Sequence, residues 1–153
     1  MGDIIYQNTA QLFHQCDENS YNFSYFAIQV DMTIYRNAQG GFVFRANPST
    51  GQMYVLTIDT SDGYYNFYMC SGYGENKCSH DIRHGSSSAL ISSGSIEVTL
   101  IAYGDTFYLY VGERFIDSGT DTSLSSGRVG LLSSCPQTPP AGVLYSNVKV
   151  WAP

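Results

Sequence analysis

Apolar residues recur at every second position along most of this chain, between clusters of Gly, Asn, Asp, Ser and Pro. From Tyr25 to Ile34 the alternation places Phe26, Ile28, Val30, Met32 and Ile34 on one face, the mark of a half-buried strand. Asn37-Ala38-Gln39-Gly40-Gly41 reads as a turn into the strand Phe42-Val43-Phe44-Arg45-Ala46, which the Pro and Gly of residues 47–51 end. Met53 to Asp59 gathers Tyr54, Leu56 and Ile58 on one side, and Ser61-Asp62-Gly63 predicts a hairpin turn with Gly63 at positive φ. Tyr64 to Cys70 runs back with Tyr65, Phe67 and Met69 facing away from Tyr64, Asn66 and Tyr68. The segment from Gly85 to Ser95 is Ser-rich and reads as a loop. Beyond it, Ile96 to Tyr103 points Val98 and Leu100 inward, and Phe107, Leu109 and Val111 alternate with Tyr108 and Tyr110. Short strands follow at Arg114–Asp117, Gly127–Leu132 and Val143–Trp151. No stretch sustains a helical period. Strands recurring every ~8–12 residues with tight turns predict two packed antiparallel sheets. Neither a linker nor an internal repeat divides residues 1–153, which read as a single β-sandwich domain.

Composition supports strands and narrows the partners. Charged residues make up 13% of the chain, about half the usual share, and their place is taken by 13 Tyr, 15 Gly and many hydroxyl residues. The net charge is −6, and the lysines are Lys77 and Lys149 alone. Neutralising phosphates takes a basic stripe, so nucleic acid and anionic membrane surfaces are excluded as expected partners. No run approaches the ~18 apolar residues of a membrane span. The opening Met1-Gly2-Asp3 lacks the basic and apolar regions of a signal peptide. If exported, the domain is therefore expected as part of a longer protein, extracellular or at the cell surface.

Cys70 and Cys78 flank a Gly-rich hairpin tip, where a disulfide would close a short loop. Cys16 and Cys135 remain as a second pair. The competing reading is zinc, but no C-x-x-C spacing occurs. His80 and His84 stand four apart without helical context, so two disulfides and no metal site are expected.

Several segments together resemble a known family. They are Gly-Gly-Phe-Val-Phe-Arg (40–45), Tyr-Val-Leu-Thr-Ile-Asp (54–59), Asp-Gly-Tyr-Tyr (62–65), Phe-Tyr-Leu-Tyr-Val-Gly (107–112), Gly-Arg-Val-Gly-Leu (127–131) and Tyr-Ser-Asn-Val-Lys-Val-Trp (145–151). In this order they resemble the concanavalin A-like (laminin-G-like) jelly rolls, and among them the bacterial domains related to 3-keto-disaccharide hydrolases. Phe13-His14-Gln15-Cys16 with Asn22-Phe23-Ser24-Tyr25-Phe26 is similar to extracellular domains of bacterial receptor-type serine/threonine kinases. In those domains a cysteine placed like Cys16 pairs with one further upstream, which this chain lacks; either Cys16 pairs with Cys135 or its usual partner strand is missing.

The resemblance implies an all-β, two-sheet antiparallel jelly-roll sandwich in which the outer face of one sheet carries a ligand. Phe44 belongs to the core face, so strict alternation sends Arg45 to that outer face. There its five donors would suit sugar hydroxyls or a carboxylate, or it would pair with an acid such as Asp59. Alternation adds Val43, Val55, Thr57, Tyr64, Asn66 and Tyr68, with Tyr108 and Tyr110 from a later strand. Exposed tyrosines stack on pyranose faces, or simply pack across strands. The expected ligand-binding residues are Arg45, Thr57, Tyr64, Asn66, Tyr68, Tyr108 and Tyr110. Catalysis has less support. Related sandwich glucanases carry Glu-x-Asp-x-x-Glu, absent here, and Glu97 is an acid in a strong strand with no visible partner. There is no Gly-x-Ser-x-Gly elbow, and His14, His80 and His84 lie in weak or loop segments, each expected to be solvated. No cofactor is expected, although the loop acids Asp59, Asp62 and Asp121 leave room for calcium. The expected function is non-catalytic extracellular recognition of a carbohydrate or cell-wall glycan, as a sensor or accessory module. A carbohydrate-active enzyme and a purely structural or adhesion domain are the alternatives.

Overall fold

The computed structural model describes residues 4–8, 14–17, 22–35, 38–73, 75–134 and 141–153. Twelve strands occur among them: β1 (Ile4–Asn8), β2 (His14–Asp17), β3 (Phe26–Tyr35), β4 (Gln39–Asn47), β5 (Gln52–Ile58), β6 (Tyr64–Ser71), β7 (His80–Ser86), β8 (Ile96–Tyr103), β9 (Thr106–Val111), β10 (Arg114–Thr120), β11 (Arg128–Ser134) and β12 (Ala141–Trp151). They form two six-stranded antiparallel sheets, ordered β1-β12-β3-β8-β9-β10 and β2-β11-β4-β5-β6-β7. The fold is the all-β sandwich of two antiparallel sheets that the alternation predicts, in the jelly-roll form that the resemblance implies.

The inward phase of each strand builds one core between the sheets. Phe26, Ile28, Val30, Met32, Val98, Leu100 and Leu109 come from the first sheet; Phe42, Phe44, Tyr54, Leu56, Ile58 and Phe67 come from the second. Tyr145 crosses that core as a polar pin. Its hydroxyl donates to the carbonyl of Leu132 and accepts from the Gly41 amide at 2.8 Å, so one residue of β12 ties both β11 and β4. A buried phenol needs such partners, since an orphaned hydroxyl in the core would cost free energy.

Three local features depart from the sequence reading. Gly40 and Gly41 are strand residues, not a turn. A Cβ on Gly41 would lie 1.8 Å from the Leu56 carbonyl oxygen, so glycine is required by close backbone approach. The alternation names no strand over β7, which is an edge strand paired with β6 and takes in the first two residues of the expected Gly85–Ser95 loop. Its residues are mostly exposed, and charged side chains on an edge hide the apolar alternation that marks a buried strand. β1 and β2 also pair where no strand was expected, β1 with β12 and β2 with β11.

Cys70 and Cys78 form the expected disulfide. The proposed Cys16–Cys135 pairing lies outside the described residues. Gly63 takes the expected positive φ of 76° in its turn.

Candidate functional site

Arg45 does not reach the outer face. On both sides of β4 the register slips: Phe44 faces Tyr54 but Asn47 faces Gln52, and Arg128 faces Ala46 while Gly130 faces Val43. This is a β-bulge, with one extra residue on β4. It turns two successive side chains, Phe44 and Arg45, inward and resets the phase at Ala46, which packs in the cluster on the opposite face. Arg45 is only 2% exposed, with a φ of 47°. Its Nη1 donates to the Leu124 carbonyl at 3.0 Å; its Nη2 donates to those of Ser24 (2.7 Å) and Gly104 (2.6 Å). The guanidinium stands 5.3 Å from the Phe107 ring centroid. Both terminal nitrogens are thus bonded to main-chain carbonyls inside the sandwich, and Asp59 instead accepts from Ser61.

The outer face of the second sheet is closed at its centre. Val43, Ala46, Val55, Tyr68, Cys70 and Leu132 form a second buried cluster, against which Met53 and Cys78 pack. Thr57 beside it is 5% exposed, and burial pushes the Tyr68 hydroxyl pKa upward. Thr57 does face Asn66, so the structure brings these two together as expected, and Asn66 also faces His84. The Tyr64 and His84 rings stand 6.3 Å apart at a tilt of 34°, and among the described residues the Asn66 Oδ1 has no hydrogen-bond partner. Tyr108 and Tyr110, however, lie on β9 in the other sheet. They share no face with Thr57, Asn66 and Tyr68.

An open aromatic surface exists on the first sheet instead. Where β3 begins and β8 and β12 end, Tyr25, Tyr103 and Trp151 surround a groove of about 540 Å³ with Ala27 and Ile101 in its lining. Tyr103 is 69% exposed, Trp151 52% and Tyr25 46%. Tyr25 and Tyr103 meet at 5.2 Å between ring centroids. The pairing explains the shape: Trp151 faces Ala27, Ala27 faces Ile101, and Ile101 faces Tyr108. A small residue on β3 therefore leaves a depression beside the indole, and Tyr108 continues the same row. The next row holds Gln29, Thr99 and Tyr110, with Gln29 Nε2 donating to Thr99 Oγ1 at 3.1 Å. Tyr110 in turn meets Phe115 edge-on at 5.5 Å.

No Asp, Glu, Lys or Arg side chain lines the groove. It offers ring faces, phenol hydroxyls and one indole N–H, the equipment for a neutral ligand with an apolar face. Sequence reasoning passed over Tyr25, Tyr103 and Trp151 because each ends a strand and was counted with it. A signal was present: Tyr25 and Tyr103 fall on the outward phase of core strands.

Glu97 has a neighbour after all. It faces Asp31 across β3 and β8 on this same outer face, and Asn147 Nδ2 donates to Asp31 Oδ2 at 2.6 Å. Several other acids and histidines are spent on structure. His80 pairs with Asp121 at 3.0 Å, Arg83 with Asp117 at 2.8 Å and His84 with Asp81 at 2.8 Å. The first two pairs join β7 to β10 and the residue beyond it, bridging the two sheets. Core tyrosines reach the same carboxylates: Tyr54 donates to Asp121 at 2.7 Å and Tyr65 to Asp117 at 2.6 Å. Partial burial acts to raise the Asp121 pKa, but hydrogen bonds from Ser123, Tyr54 and His80 outweigh it and hold the carboxyl at about 2. Burial, reinforced by these acids, pushes Tyr54 and Tyr65 up to about 12. Asp62 caps its own turn through the Tyr64 amide. Among the described residues no group of three or more His, Cys, Asp or Glu could hold a metal ion. The side chain of His14 lies outside the described residues.

No protein-family model and no curated protein matches the chain. The fold has solved counterparts. The carbohydrate-binding module CBM66 from Bacillus subtilis superposes with a TM-score of 0.76 at 19% identity, covering 95% of this chain and 86% of that one. A prokaryotic β-1,3-1,4-glucanase (lichenase) from a mouse hindgut metagenome gives 0.66 at 12% identity, over 91% of this chain and 71% of that one. Sheep galectin-11 gives 0.62 at 9% identity, over 92% and 97%. The chain has a concanavalin A-like jelly roll. At these identities the likeness establishes the fold and nothing finer.

Proposed function

We propose that this domain is a non-catalytic carbohydrate-recognition module that seats a neutral glycan in the groove between Trp151, Tyr25 and Tyr103. The observation that carries the reading is the groove itself: three half-exposed rings around a small-residue depression, with no charged side chain in the lining. Exposed rings in a soluble domain carry a solvation cost that a stacking ligand relieves. Proteins named as a carbohydrate-binding module and a glucanase share the fold, which supports the ligand class. Calorimetric titration against a panel of neutral glycans that includes soluble β-1,3-1,4-glucan tests it. Trp151→Ala and Tyr103→Ala are expected to weaken binding at least tenfold, ~1.4 kcal/mol, with an unchanged circular dichroism spectrum. A wild type silent toward every glycan would sink the proposal; undiminished binding by Trp151→Ala would sink the site alone.

One observation favours a second reading, a glycoside hydrolase: Asp31 and Glu97 stand side by side on the same face. Paired carboxyls ~5–10 Å apart are what glycoside hydrolysis uses, but Glu97 is exposed on an open sheet. Release of reducing ends from β-1,3-1,4-glucan, abolished by Glu97→Gln, would establish it over the binding reading.

The setting we favour is extracellular, with the domain serving as the sensor of a receptor-type kinase or as an accessory module of an exported enzyme. The Cys70–Cys78 disulfide supports an oxidising compartment. Peptide mapping of protein taken from its native host checks this; a free Cys70 thiol there would count against export.

A further inference from the structure

Arg45 is an expensive residue for this fold. A guanidinium is buried at 2% exposure, and among the described residues its hydrogen-bond partners are all main-chain carbonyls. Among the described residues the Nε has no hydrogen-bond partner. The same residue sits in the left-handed region, with φ at 47°, which a side chain with a Cβ rarely adopts. An apolar residue of similar length often serves stability as well as a buried charge, or better. Backbone strain held at one position points toward a role there.

The carbonyls it holds show what that role is. Ser24 and Gly104 are the chain neighbours of Tyr25 and Tyr103, and one nitrogen, Nη2, holds both at 2.7 and 2.6 Å. The third tie, Nη1 to Leu124, fixes the loop before β11 to the same group. Behind the guanidinium the rings of Phe44, Tyr54 and Phe107 pack within 4.7–5.4 Å of one another. The main chain of Arg45 is held as closely, since a Cβ on Gly127 would meet the Arg45 carbonyl carbon at 2.3 Å. The fork is thus clamped in place, and its direction is set before any ligand arrives.

We infer that Arg45 is a positioning residue that sets the Tyr25–Tyr103 wall of the groove from inside the sandwich, by drawing the two tyrosine-bearing segments onto one nitrogen. Its bearing on ligand affinity rests on the carbohydrate reading; its effect on the wall does not. Pre-organised ring surfaces save the ordering cost that mobile loops would charge against affinity. A planar, always-charged fork suits the task because it addresses three acceptors at fixed angles, whereas an ammonium is a single point.

The test uses Arg45→Met and Arg45→Lys, with selectively labelled tyrosines and phenylalanines observed by NMR. Arg45→Met is expected to melt cooperatively and keep cross-peaks between the Phe44 and Phe107 rings, yet lose those between Tyr25 and Tyr103. Arg45→Lys should keep them at reduced intensity. With soluble β-1,3-1,4-glucan as the probe, affinity should fall at least tenfold in Arg45→Met and less in Arg45→Lys. Tyr25–Tyr103 cross-peaks of wild-type intensity in a folded Arg45→Met protein would overturn the inference. Should that variant not fold, wild-type cross-peaks in Arg45→Lys would overturn it equally. Loss of the ring contact in Arg45→Met, alongside a wild type that binds no glycan, would leave the positioning role standing and remove the sugar reading instead.

Discussion

Single residues in this molecule act through the partners the fold assigns them. Asp121 is the clearest case. Its pKa near 2 lies below that of an unfolded aspartate near 4, so its contribution is complete above pH ~4 and is lost as pH falls through 2. The shift amounts to about 2 kcal/mol, and with the side chain only 11% exposed it needs little discount for solvent. Asp121→Asn is therefore expected to lower stability at neutral pH and to flatten the urea-denaturation curve between pH 4 and 2. An unchanged acid slope would contradict this. Tyr54 and Tyr65, raised to about 12, work with the opposite sign. Their contribution is complete below pH ~10 and disappears as pH climbs through 12. Alkaline titration followed by tyrosinate absorbance should resolve a late fraction that shifts to ordinary pH in urea. Arg45 marks the limit of residue-level reading: the Phe-Arg pair was legible, but the bulge that reverses the arginine depends on the registers of both neighbouring strands.

At the level of elements, strands buried on one face announced themselves, because burying every second side chain leaves a period of two. β3, β5, β6, β8 and β9 were all legible within a residue or so of their ends. β7 was not, since its pairing is main-chain to β6 and most of its side chains, Ile82 excepted, face water. The glycines of β4 were legible as glycines but not as strand, because what they avoid is the backbone of β5. Gly41→Ala should accordingly prevent folding or cost more than ~3 kcal/mol, since the obstructing atom is a main-chain oxygen that cannot step aside. The disulfide that joins the end of β6 to the approach to β7 closes a separation of eight residues. By the loop-entropy estimate it adds about 2–3 kcal/mol. Paired Cys70→Ser and Cys78→Ser substitution should reduce denaturant stability by that order and leave the opposite edge of the sandwich unaffected in hydrogen exchange.

Over the whole molecule, the two sheets are fastened at separate places by different means. Tyr145 pins β12 to β11 and β4 through the core, while His80–Asp121 and Arg83–Asp117 lace the β7 and β10 side. Tyr145→Phe removes the acceptor of the Gly41 amide and should cost about 1–3 kcal/mol, read as a lower denaturant midpoint with an unchanged slope. The sandwich as a whole was legible in the sequence; the face that stays open was not. Outward phase says only that a side chain leaves the core. It cannot tell a covered outer face, as around Val55 and Tyr68, from an uncovered one, as around Ala27. The aromatic groove consequently emerged from three strand ends that lie far apart in the chain and side by side in space. One property of it has a practical side. Trp151 is the only tryptophan in the chain, and it stands half-exposed at the rim of that groove. Excitation selective for indole therefore addresses a single position, and any molecule settling there changes the colour and quenching of one emitter. The protein reports occupancy of this groove by its own light, with no label attached.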